Sequence, residues 1–163
     1  MAKIGLNAKV YWRSAGTYGS PTWTEVTLFS DVTVSPTWEE ADASARESRV
    51  KQTVKTMLAL EVTGRIKKKG GDATYEAFMG AMLSDDLLDL LILDGDKAVE
   101  GNDGWRCDWQ VFNANEDQSM SNALYIDVTL KPSITTNAVL AVRVGAGGVL
   151  TYSTPGTNGA TFA

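Results

Sequence analysis

Residues 87–132 read LLDLLILDGDKAVEGNDGWRCDWQVFNANEDQSMSNALYIDVTLKP, and they hold three candidate strands in succession. The first, 87–93, is apolar at every position except Asp89. A run of that length suits a strand buried on both faces, although periodicity alone does not separate it from a buried helical turn. The third, 123–131, alternates: Leu124, Ile126, Val128 and Leu130 point one way, and Ala123, Tyr125, Asp127, Thr129 and Lys131 the other. Successive strand side chains face opposite sides, so this segment has one apolar and one polar face. The middle strand, 105–112, places Trp105, Cys107, Trp109 and Val111 opposite Arg106, Asp108, Gln110 and Phe112. Pro132 closes the third strand, having no N–H to give to a ladder.

Upstream, 57–66 alternates in the same way, with Leu60, Val62, Gly64 and Ile66 opposite Glu61, Thr63 and Arg65, and it ends at KKKGG. The stretch 72–83 is the one good helix. Asp72 is its N-cap, Tyr75, Phe78, Met79 and Met82 recur at helical spacing, and Glu76 lies near the positive end of the dipole. Residues 3–12 favour strand through Val10-Tyr11-Trp12, 16–21 form a Gly/Pro loop, and 23–34 read as strand broken near Ser30-Asp31. The segment 37–46 (TWEEADASAR) is open between helix and strand on local propensity, and 47–55 is charged and reads as an exposed loop or hairpin tip. After Pro132, 139–144 suits a short strand, and the Gly/Thr/Ala/Ser-rich 145–163 reads as a loosely ordered tail. Several strands, one helix, then more strands predict an α+β, mainly antiparallel domain. A doubly wound fold would need repeated strand–helix alternation.

A chain of 163 residues that is 44% hydrophobic can bury a sizeable single core. No apolar run approaches a membrane span, and the opening MAKIGL lacks the apolar core of a signal peptide, so synthesis in a cytoplasm is expected. The absence of histidine excludes Ser-His-Asp triads and His-ligated metal sites. Cys107, the one cysteine, has no internal disulfide partner and reads as a small buried hydrophobe. Charge is uneven: 1–69 carry 11 Lys/Arg against 7 Asp/Glu, whereas 70–163 carry 4 against 13. A protomer with basic and acidic parts suits head-to-tail association, although sequence halves need not be spatial halves.

Asp94 and Asp96 follow an apolar strand, as in aspartate-nucleophile phosphatases. Ala98 stands where that motif wants Thr or Val, and too little chain follows for its large α/β domain. The same Ala98 removes an oxygen from a calcium loop of the EF-hand type. No enzyme, metal or other cofactor is expected.

Two sets of motifs together resemble a known family. One is the central stretch, from LDGD through GWRCDWQVFNANED to DVTLKP. The other is Asp31-Val32-Thr33-Val34 followed by EEADASAR (39–46), after an opening Ile4-Gly5-Leu6 to Trp12. In order and spacing these are similar to the major tail tube proteins of long-tailed, non-contractile phages and prophages, over about 3–136. The chain departs from the pattern at Glu47-Ser48-Arg49 and beyond Asn137. The resemblance implies a β-barrel or sandwich with one flanking helix at 73–83, and a tail tube domain over 1–136 followed by a partly flexible extension over 137–163. It implies a structural subunit assembling as homohexameric rings stacked into a tube in the virion tail. Its partners would be a tape measure protein, a tail terminator and tail tip or baseplate proteins, with double-stranded DNA in transit.

The resemblance also makes 37–55 a long hairpin. Its candidate stacking residues are Glu39, Glu40, Asp42, Arg46, Glu47, Arg49 and Lys51. The candidate lumen-facing residues are those of the polar strand faces, Glu61, Thr63, Arg65, Tyr125, Asp127 and Thr129. The alternatives are a tube protein of a contractile injection or type VI secretion system, and a monomeric ligand-binding barrel.

Overall fold

The computed structural model describes residues 5–46, 49–120 and 123–156. Its elements are β1 (Lys9–Gly16), β2 (Pro21–Glu25), β3 (Phe29–Asp42), β4 (Thr53–Lys67), α1 (Ala73–Leu83), β5 (Leu88–Leu93), β6 (Asp103–Asp117), β7 (Tyr125–Pro132), β8 (Leu140–Val144) and β9 (Leu150–Ser153). All nine strands form one sheet in the order β2-β1-β5-β6-β7-β4-β3, with β8 on β6 and β9 on β8. Every pairing is antiparallel. The α+β expectation holds. The sheet curls but does not close into a barrel. At one end the link between β2 and β3 laces its two flanks together: the Val26 N–H donates to the Val10 carbonyl at 2.8 Å, and the Lys67 N–H donates to the Leu28 carbonyl at 3.0 Å.

The strand read as buried on both faces is β5, and all of its residues are buried. Leu88, Leu90 and Ile92 enter the main core with Val62, Ile66, Trp109, Ile126, Val128 and Leu130. Leu91 and Leu93 enter a second, smaller core with Tyr11, Val142 and Val144 on the reverse face. Each such aliphatic side chain contributes about 1.5–3 kcal/mol on leaving water, which is why a continuous apolar run becomes the central strand.

Helix α1 closes the main core. The Asp72 carboxylate accepts the Thr74 and Tyr75 N–H groups at 3.0 and 3.2 Å, and Glu76 accepts the Gly71 N–H at 3.2 Å. Two of the otherwise unpartnered donors of the first turn are thereby satisfied, as the N-cap reading required. Tyr75, Phe78 and Ala81 are buried, and Met79 and Met82 pack at the margin of the core. Phe78 meets Phe29 at 5.6 Å between ring centroids. The Phe29 ring lies over Gly64 on β4, filling the space a Cβ would occupy. This accounts for a glycine on the apolar face of an alternating strand.

Three irregularities lie outside the sequence reading. A bulge in β3 between Ser30 and Thr33 holds Asp31 at φ 53°, and it turns the expected strand break into a kink within one strand. The actual break falls at 26–28. A second bulge, in β6 between Val111 and Asn113, reverses the alternation of that strand beyond Phe112. The third correction concerns the tail: the strand expected at 139–144 is β8, with Ala141, Val142 and Val144 buried, but the segment read as loosely ordered supplies a further strand, β9, paired to it. Residues 157–163 lie outside the described residues.

Gly104 gives a sharp test of the β5–β6 packing. A Cβ there would overlap the Ile92 carbonyl oxygen and lie 2.9 Å from the Leu93 Cα. Both are backbone atoms of the central strand and have no rotamer to give way. Gly104→Ala is expected to destabilise the protein by about 3 kcal/mol, the upper part of the overpacking range. The denaturant midpoint at unchanged m-value would report it.

Candidate functional site

The β4–β7 register brings the six polar-face residues onto one surface. Thr63 pairs with Thr129, Arg65 with Asp127, and Lys67 with Tyr125. The Arg65 guanidinium donates to Asp127 at 2.9 Å, and Lys131 pairs with Glu61 at 3.4 Å. The Asp127 carboxylate beside Arg65 raises the guanidinium pKa further, so the charge is fixed. The bulge at Phe112 adds Asn113 and Asn115 to this surface, opposite Thr129 and Asp127. Asp31 joins from β3, and with Thr63, Arg65, Asn113, Asn115, Asp127 and Thr129 it lines an open trough of roughly 370 Å³. Without the bulge, Asn113 and Asn115 would face the core, and this is why strict alternation misses them. Of the cations on this surface, Arg65 and Lys131 are each matched by a carboxylate, and Lys67 stands at its edge beside Tyr125.

The hairpin expected at 37–55 is present as the outer parts of β3 and β4. The two strands pair out to Asp42 and Thr53, with a bulge between Trp38 and Glu40. Every described residue from 39 to 57 is exposed. Glu39, Glu40, Asp42, Arg46, Arg49 and Lys51 all lie on this arm, and Glu47 lies outside the described residues. The Asp42 carboxylate accepts the Ser44 N–H at 2.8 Å, and the hydrogen bonds of Ser44 hold its pKa below the usual range. The Ala43 N–H donates to the Gln52 carbonyl at 2.9 Å, closing the ladder. Lys55 sits 5.6 Å from the centre of the Trp38 ring. Strand pairing wins here over the local preference for helix because two apposed strands satisfy each other's backbone groups, whereas a lone polar helix would bury nothing.

On the reverse face of β5 and β6 lies a charge cluster that sequence reasoning missed. Arg106 is 2% exposed. It grips Asp89 with two hydrogen bonds of 3.1 and 2.8 Å, and Arg13 donates to the same carboxylate at 2.8 Å. The guanidinium lies 3.8 Å from the Tyr18 ring centroid and 4.9 Å from that of Trp23, and it donates to the Tyr152 hydroxyl at 3.3 Å. The β1–β2 loop, β2, β5 and β9 thus converge on one cation of β6. The available signal was β5 itself: a strand buried on both faces requires its neighbours to be covered on both faces too.

The two aspartates that resembled a phosphatase motif are held in structural bonds. Asp94 accepts the Asp103 N–H at 2.9 Å. Asp96 accepts the Ala98 N–H and the Lys9 ammonium, both at 2.9 Å, and those two bonds, the backbone one foremost, depress its pKa. Burial pushes the Cys107 thiol far above the ordinary range, consistent with a packing role. Among the described residues no helix is long and apolar enough to cross a membrane.

This fold, a curled antiparallel sheet with one helix on its core face, is shared with solved tail structures. Among solved structures, the chain is similar to the tail of an empty gene transfer agent particle determined with helical refinement and C6 symmetry. That likeness has 12% identity and a TM-score of 0.65, covering 82% of this chain and 96% of that one. The SPP1 tail tube is similar at 12% identity and a TM-score of 0.64, covering 80% and 75%. A chain of the anti-feeding prophage baseplate is similar at 9% identity and a TM-score of 0.61, covering 86% and 96%. No family model and no curated protein matches the sequence.

Proposed function

We propose that this chain is the structural subunit of a phage-type tail tube, located in the virion tail. Hexameric rings stack into a hollow conduit that delivers DNA. The observation that carries the reading is the fold likeness to a C6-symmetric tail, which spans 82% of the chain. The polar face that carries Glu61, Thr63, Arg65, Tyr125, Asp127 and Thr129, with the trough at its centre, lines the bore. A DNA phosphate passing it meets hydroxyls, amides and two cations, Arg65 and Lys131, already matched by Asp127 and Glu61. Such a surface releases few counterions and so retains DNA poorly, as a conduit requires. The hairpin arm reaches the next ring. A tape measure protein fills the bore before DNA, and terminator and tip proteins cap the two ends. The role is structural rather than enzymatic.

A sheet not closed around a cavity argues against the ligand-binding barrel. A second reading, a ring of a tail baseplate, draws on the likeness to the anti-feeding prophage baseplate.

Electron microscopy of the purified protein across a concentration series, with light scattering, tests the proposal. Hollow six-fold tubes are expected, and removal of 43–52 is expected to abolish their stacking. Single rings that never elongate favour the baseplate reading. A protein monomeric at every concentration favours a binding module. Tubes formed without 43–52 remove the stacking role, and a reconstruction with the trough turned away from the bore removes the lumen assignment.

A further inference from the structure

The tube reading leaves open what the hairpin arm touches, and the following inference rests on that reading. The arm is amphipathic in an unusual way for a free segment. It exposes Val50, Val54 and Met57, the last 65% exposed, beside the cations Arg46, Arg49 and Lys51. Those three cations form no ion pair among the described residues. Elsewhere the chain carries a surface of complementary character. Beyond Trp109, strand β6 has no partner on the β5 side, because β5 begins at Leu88 opposite Trp109. The gap is an open groove of roughly 130 Å³ between β6 and the turn from α1 into β5, lined by Ala81, Ser84, Asp85, Asp86, Val111 and Phe112.

Phe112, set outward by its bulge, is 55% exposed, and Leu83 and Leu87 flank the same turn in sequence and are exposed as well. Asp85 and Asp86 form no ion pair among the described residues. The last turn of α1 holds no basic residue, so the partial negative charge of the helix end adds to theirs.

The arm cannot reach this groove within its own chain. Val62, Leu130 and Val111 form one row across the sheet. From that row β4 runs outward to Thr53 in one direction, while Phe112 lies on the other side of the row. Two complementary patches that do not meet on one protomer make a heterologous contact between copies, which propagates by repetition.

The geometry points to a contact between successive copies of this chain. The basic tip of one hairpin lies against Asp85 and Asp86 of the next copy, and an aliphatic side chain of the arm enters the groove beside Phe112. Opposite charges at its rim set the register, and the apolar insertion excludes water.

Charge reversal and its repair test the contact. Asp85→Lys with Asp86→Lys is expected to raise the protein concentration needed for tube formation at least about tenfold, since like charges are then juxtaposed. These are surface changes, and an unchanged melting temperature and circular dichroism spectrum confirm the fold. Arg49→Glu with Lys51→Glu is expected to do the same. The chain carrying all four changes is expected to recover assembly. Phe112→Glu provides an independent arm and is expected to block assembly with no repair by the charge swap. Parent and Asp85→Lys/Asp86→Lys proteins that assemble equally well overturn the contact and leave the tube reading standing. A parent that never assembles overturns both.

Discussion

Replacing Asp89 by alanine is expected to cost about 3–5 kcal/mol of folding stability, the range found when one partner of a buried ion pair is removed. Its side chain is 1% exposed and that of Arg106 is 3% exposed, so water does not screen the pair. Without the carboxylate, the guanidinium keeps the Tyr18 carbonyl at 2.8 Å and the Tyr152 hydroxyl, both neutral acceptors, as its hydrogen-bond partners. Arg13 loses its ion-pair partner as well and keeps the Gly16 carbonyl. Domains of this kind are stable by only about 5–15 kcal/mol, so the loss is a large fraction of the total.

Arg106→Lys does not preserve the site, because an ammonium cannot make the paired bonds of a planar fork. The double change Asp89→Leu with Arg106→Leu removes both charges together and is expected to cost much less than either single removal. A double-mutant cycle in urea measures the difference. A loss below 1 kcal/mol for Asp89→Ala would mean that water reaches the pair and that the strands it joins are held by packing alone.

Trp109→Ala is expected to rank beside it, at about 3–5 kcal/mol, the range for deleting a buried aromatic side chain. Trp109 has no exposed surface and stands in the middle of β6 within the main core. Its indole N–H donates to the Leu90 carbonyl at 3.2 Å, so truncation removes a buried hydrogen bond along with the ring. For a domain of 163 residues the change is expected to lower the melting temperature by about 10–15 °C. Trp109→Phe keeps much of the volume and should cost markedly less. If the two substitutions proved equally harmful, the indole hydrogen bond rather than packing would dominate the site.

Periodicity carried much of the fold. The apolar run of β5, the alternation of β7 and of the inner part of β4, and the capped helix α1 were all legible, because burial on one face writes a period into the sequence. The hairpin at 37–55 was not legible from propensity. Glu39 to Ala45 suits a helix as well as a strand, and the likeness to tail tube proteins decided the matter. Bulges escaped altogether. Each adds a single residue with no compositional mark, yet the one at Phe112 moves Asn113 and Asn115 from one face to the other. Strand β8 was expected, but β9 at 150–153 was hidden by Gly145, Gly147 and Gly148, which suggest looseness but here make the turn between β8 and β9. Arg106 looked like an ordinary polar-face residue. Alternation states which way a side chain points, and it is silent on whether another layer covers that side.

The laddering of β4 has a mechanical consequence. Over 62–67 this strand is bonded to β7, and over most of its length to β3. Antiparallel hydrogen bonds lie across the strand direction. A pull applied at the hairpin tip along β4 therefore strains the whole β4–β7 ladder at once in shear, instead of opening it bond by bond like a zip. A protomer gripped by its arm resists stretching as a unit, and a filament of such protomers transmits tension through its strands rather than through its side chains.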